Sequence, residues 1–174
     1  MQPLSPDGSP VHTYSRLGPV SPQALTAAGV TADVVDLADA FLELMHRMRD
    51  HLHAVAELHG LTPPMVLTLR LLHTPRAQRE IAAHIGCDPS YVTGIVDRLE
   101  EIGAVERTAD PTDRRVKRIV LTELGDELRR DVVIGLLQGV PIAAGLDATA
   151  RQELLQLLGR TLVPNVELNR TTTP

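Results

Sequence analysis

The sequence predicts a mainly α-helical chain carrying one small β-hairpin, and three observations predict it. Apolar residues recur at helical spacing from Thr31 to His59 and over three shorter stretches up to Ile102. Two short β-type segments, residues 105–107 and 117–121, then flank the turn sequence Ala109-Asp110-Pro111-Thr112-Asp113. Helical spacing returns from Thr122 to about Gly139 and again from Asp147 to Leu162.

Each element has a local reason. Residues 1–30 carry Pro3, Pro6, Pro10, Pro19 and Pro22 with no sustained apolar period, and are expected to be a flexible tail. Thr31 is a candidate cap for a helix that stops at Gly60. Within it Val34, Ala38, Phe41, Met45, Met48, Leu52 and Val55 alternate steps of four and three, a heptad seam suited to a partner helix. Thr62-Pro63-Pro64 opens a second helix, with proline where the missing N–H matters least. Two short helices follow, at about Gln78–Ile85 and Pro89–Ile102, and residues 165–174 form a second loose end.

The 174 residues are 43% apolar, 22% charged and 2% aromatic, which suits one domain with extensions or two small units sharing a core. A single cysteine, Cys87, excludes an intramolecular disulfide framework and a cysteine-rich zinc module. Every long apolar stretch is broken by charge, and residues 1–20 lack the layout of a secretory signal. The expectation is a soluble, cytoplasmic chain with no membrane partner. Net charge is −5, which taken whole argues against a polyanionic partner, but four of the five residues from Arg114 to Arg118 are cationic.

Residues 78–98 have the pattern of a helix-turn-helix. Ala82 is the small residue needed where two short helices cross, and Gly86 supplies the turn. Ile81, Ile85, Val92, Ile95 and Leu99 fall on inward faces, whereas Ser90, Tyr91, Thr93, Gly94 and Asp97 point outward. Asp88 caps the second helix and Pro89 occupies its first turn. Its outer N-terminal face would suit a DNA major groove, where hydroxyl groups reach base edges or phosphates. The hairpin that follows, with cations near its tip, then reads as a wing whose arginines enter a minor groove.

From Leu61 to Leu128 the chain resembles the MarR family of winged-helix transcriptional regulators. The resemblance rests on residues 79–86 (REIAAHIG), 92–100 (VTGIVDRLE), 103–107 (GAVER) and 113–122 (DRRVKRIVLT) with Gly125. It implies a homodimer held by N- and C-terminal helices, here residues 31–60 and 123–164. It also implies a winged helix-turn-helix over residues 61–122 that grips double-stranded operator DNA. By position, Arg115 is the wing-tip residue and Asp113 orients it through a charge-assisted hydrogen bond. Ser90, Tyr91 and Thr93 take base- or phosphate-facing places, Arg98 contacts phosphate or braces the wing, and Arg114 and Lys117 add cations. Gly94 departs from the family pattern, which often has a large basic residue there. Asp88 to Glu101 holds one cation against four anions, so electrostatic affinity is expected mainly from the wings.

The resemblance further implies a crevice between the dimer helices and the winged lobe that takes a small aromatic or anionic effector. The candidate lining is Met45, His46, Arg49 and His53 on the first helix with Met65, Leu69 and His73 on the second. No cofactor and no metal site are expected. His46, His51, His53 and His59 read as a solvated face, and Cys87 as an inert thiol in the turn. No phosphate-binding loop or nucleophile–base spacing points to an enzyme. The expected function is a ligand-responsive regulator, a repressor in the commoner case, associated with the nucleoid. The alternatives are a winged-helix module that binds protein without DNA, or a regulator that senses metal or redox state through the histidines or Cys87.

Overall fold

The computed structural model describes residues 22–113 and 115–161. In order they form α1 (Pro22–Ala27), α2 (Ala32–Leu58), α3 (Pro63–Leu71), β1 (Arg76–Ala77), α4 (Gln78–Ile85), α5 (Pro89–Glu101), β2 (Val105–Ala109), β3 (Lys117–Leu121), α6 (Glu123–Leu137), a 3₁₀ turn (Pro141–Ala143) and α7 (Ala148–Thr161). The described residues divide into two compact units, on either side of the boundary between Pro141 and Ile142. Mainly helical architecture with a hairpin is as expected. Two elements were not: α1 replaces the last part of the expected tail, and β1 adds a third strand.

The sheet is antiparallel, in the order β1-β3-β2. Val105 pairs with Leu121 at the base of the hairpin and Ala109 with Lys117 near its tip, while Ala77 pairs with Arg118. The two-residue β1 escaped the sequence reading because Arg76-Ala77 has no alternation to detect; it exists only because β3 offers a free edge.

The first unit has one core. Val66 and Leu69 from α3, Ile81 and Ala82 from α4, and Val92, Val96 and Leu99 from α5 meet Val105, Ile119 and Val132 there. Full burial of each larger aliphatic side chain contributes about 1.5–3 kcal/mol. Thr68, also fully buried, returns its hydroxyl to the Pro64 carbonyl at 2.8 Å. Gly86 ends α4 at φ 75°, a left-handed conformation that lets α5 start at once in a new direction. Gly125 marks the tightest approach: a Cβ there would lie 1.8 Å from the Ala104 carbonyl oxygen, so α6 seats against the start of β2 only without a side chain. Thr122 caps α6 by accepting the Gly125 N–H at 3.0 Å.

The heptad seam of α2 is real in spacing but half covered within the chain. Val55 at its C-terminal end is buried, whereas Val34, Phe41 and Met45 are each just over half exposed. Thr31 holds the extended conformation of a cap without a side-chain capping bond. In the second unit, α7 exposes Leu155 and Leu157.

Candidate nucleic-acid interface

Helix α5 is fixed by one face and presents the other. Val92, Ile95, Val96 and Leu99 are buried, while Ser90, Tyr91, Thr93, Gly94 and Asp97 are all exposed, as the spacing predicts. Asp88 caps the helix, accepting the Ser90 N–H at 2.8 Å and the Ser90 hydroxyl at 2.6 Å. These bonds, the hydroxyl foremost, hold the Asp88 carboxyl below its ordinary pKa. The Ser90 hydroxyl proton is thereby committed to Asp88. Thr93 lies 3.5 Å from the side-chain amide of Gln78, which brings the first turn of α4 to the same surface.

Two sequence expectations about charge are corrected. Arg98 pairs with Glu101 on its own helix at 2.6 Å and, among the described residues, bonds no residue of the hairpin, so the brace expected of it is not seen. The brace is Arg107 of β2, whose guanidinium bonds Asp97 at 2.5 Å and also Glu100, so that two acids of α5 are neutralised from the hairpin. Asp113 accepts the backbone N–H of Arg115 at 3.0 Å, and so fixes the loop main chain where a bond to the guanidinium was expected.

The wing loop is organised by Asp110, which is only 4% exposed. It accepts the Thr112 hydroxyl at 2.5 Å, the Thr112 N–H at 2.7 Å and the Asp113 N–H at 3.2 Å. The Nε–H of Arg118 donates to its second oxygen. Together these donors, led by the Thr112 hydroxyl, push the Asp110 carboxyl well below the usual carboxylate range. Arg118 also donates to the Pro75 carbonyl at 3.2 Å and lies 3.7 Å from Glu80, whose carboxylate accepts the Ala77 N–H at 3.0 Å. Arg115 and Lys117 are exposed, and neither has a carboxylate partner among the described residues. Arg114 lies outside the described residues.

Sequence reasoning missed Arg107, Asp110 and Arg118. An aspartate two residues before a threonine in a Pro-containing turn is an Asx-turn signal that would have found Asp110. Nothing local marks which arginine of the basic run turns inward.

Neither of two cavities formed among the described residues gathers the effector candidates. Met65 and Leu69 belong to the core, because α3 turns that face onto α4 and α5. His53 and His73 are exposed, and His46 is bonded to the Leu42 carbonyl at 2.7 Å. Of the expected set only Arg49 lines a cavity of about 440 Å³ between α2, α3 and α6. Its apolar wall comes from Met48, Leu52, Leu67 and the C-terminal end of α6, with Arg49, His51 and Arg70 as its charged or titratable groups and no carboxylate. The spacing named residues of α2 and α3, and this cavity is lined by other faces of the same two helices. A second cleft, of about 390 Å³, runs from Gly60 and Met65 to Tyr91 and Arg98. Among the described residues no three His, Cys, Asp or Glu side chains gather closely enough for a metal ion. Cys87 is partly buried against the core.

Residues 61–117 match the sequence model of the MarR family. The chain is 30% identical over 123 residues to the HTH-type transcriptional repressor MdtR of Bacillus subtilis, across 70% of this chain and 78% of MdtR. It is 34% identical over 98 residues to the HTH-type transcriptional regulator MhqR of the same organism, across 55% of this chain and 65% of MhqR. In structure it is similar to CouR from Rhodococcus jostii RHA1 bound to p-coumaroyl-CoA, at 30% identity and a TM-score of 0.62 over 75% of this chain and 94% of CouR. These relatives regulate transcription and are not enzymes. Family match, winged lobe and exposed recognition face agree: the chain belongs to the MarR family of winged helix-turn-helix, DNA-binding transcriptional regulators.

Proposed function

We propose that the chain acts as a homodimer on a pseudo-palindromic operator, most simply as a repressor that occludes a promoter. Helix α5 enters the major groove with Ser90, Tyr91 and Thr93, and Arg115 enters the neighbouring minor groove with Lys117 on phosphate. The observation that carries this reading is Arg115, exposed and without a carboxylate partner among the described residues, on a loop whose main chain is already hydrogen-bonded in place. A preordered cation loses little entropy on binding. Arg98 is held by Glu101 and contributes less.

The dimer is supported by α2, where Val34, Leu37, Phe41 and Met45 form an apolar stripe more exposed than a solitary helix face in water should be. The 31–60 and 123–164 segments remain its proposed framework. The cavity walled by α2, α3 and α6 is the proposed effector site. Its aliphatic wall suits an apolar body, and Arg70, with Arg49 beside its partner Asp50, suits an anion on that body, in keeping with the p-coumaroyl-CoA bound to CouR. Such a ligand acts by favouring a lobe separation that does not fit two successive grooves.

Sedimentation of the full chain tests the dimer: wild type should run at twice the chain mass, and Phe41→Glu at the chain mass. A monomeric wild type overturns it. Absence of salt-dependent binding to the protein's own upstream DNA would instead favour a protein-interaction module.

A further inference from the structure

We infer that Arg118 and Asp110 are positioning residues for DNA binding: with Glu80 they form a strut that ties the wing loop to the first turn of α4. The affinity arm of the test rests on the DNA-binding reading above; the structural arm does not.

In sequence Arg118 is one more cation of a basic run. In space it is the exception. Its side chain is 32% exposed and its donors point inward, to Asp110, the Pro75 carbonyl and Glu80. Asp110 in turn uses one oxygen for three donors of the loop and the other for Arg118. Contacts therefore run without a gap from the Ala77 N–H through Glu80, Arg118 and Asp110 to the Thr112 and Asp113 amides. From there the Asp113 carboxylate reaches the Arg115 N–H, and its carbonyl reaches the Val116 N–H at 2.9 Å. Only a planar, forked cation serves acceptors on both sides at once; an ammonium group does not. A cation already spent on two carboxylates and a carbonyl releases no counterion from phosphate, so Arg118 adds nothing to the salt dependence of binding.

The test uses the full chain and two kinds of readout. Amide exchange followed by NMR should show Thr112, Asp113, Arg115 and Val116 protected in wild type. Protection there should fall at least tenfold in both Asp110→Asn and Arg118→Lys, while amides of α5 keep theirs. The second readout is affinity for a duplex selected from a random pool by the wild-type chain. Asp110→Asn removes an anion from a protein that binds a polyanion, so charge alone would tighten binding. The strut requires the opposite sign: weakening of about tenfold, matched by Arg118→Lys, and absent when either change is made in an Arg115→Ala background. Unchanged amide protection overturns the strut, as does tighter binding by Asp110→Asn or wild-type affinity in Arg118→Lys. Should the wild type select no duplex, the DNA reading fails and the exchange data still decide the strut.

Discussion

The recognition helix and the wing are two surfaces of one lobe, held in place by different forces. Helix α5 is locked from behind by four buried aliphatic residues, and its outer face carries hydroxyls, a glycine and a self-paired arginine. In the wing hairpin the packed residues are Val105 at its base and Ile119 of β3, and the loop beyond them is held by hydrogen bonds to one shielded carboxylate. Apolar packing has no preferred direction and tolerates a plain polar exterior. Hydrogen bonds are directional, which suits a loop whose main chain is held in one arrangement.

That contrast makes separable predictions. Leu99→Ala leaves a cavity behind α5 and should cost about 2–5 kcal/mol in chemical denaturation, with the wing amides still protected at low denaturant. Loss of only the wing signals would show that the packed lobe is not what Leu99 supports. Gly125→Ala drives a methyl group into the Ala104 carbonyl and should cost roughly 1–3 kcal/mol, since neither backbone can retreat far. Acid should act on the wing through Asp110. Its folded pKa is depressed, so its contribution is complete above the unfolded carboxylate value near ~4 and is lost only as pH falls through the lower folded value. Wing amides should therefore keep full protection down to about pH 4 and lose it progressively as pH falls further toward the folded value, and loss above about pH 4 would mean that Asp110 does not anchor the loop. The smallest effect is expected from Gly94→Arg, whose new side chain meets no neighbour. It should leave the fold intact and steepen the salt dependence of DNA binding by roughly one unit per subunit.

The same contrast explains what was legible in the sequence. The periodicity of Ile81, Val92, Ile95 and Leu99 gave α4, α5 and their inward faces, because side-chain spacing is what packing responds to. Asp88 was legible as a cap, since its partner is two residues away. Arg118 was not: its acceptors lie 8, 38 and 43 positions distant, and only the fold joins them. Arg107 likewise finds Asp97 and Glu100 only when β2 folds back along α5. The cavity residues were hidden for a related reason. Met48, His51 and Leu52 share a helix with Met45 and His53, and only the seating of α6 selects between those faces.

In the proposed complex an arginine-tipped wing supplies the electrostatic grip that the recognition helix lacks. Anisotropy of the selected duplex, titrated with wild type and Arg115→Ala between about 50 and 200 mM salt, tests it most directly. Wild-type affinity should fall steeply with salt, and Arg115→Ala should bind roughly 1–3 kcal/mol more weakly with a shallower slope. Two superimposable curves would contradict it.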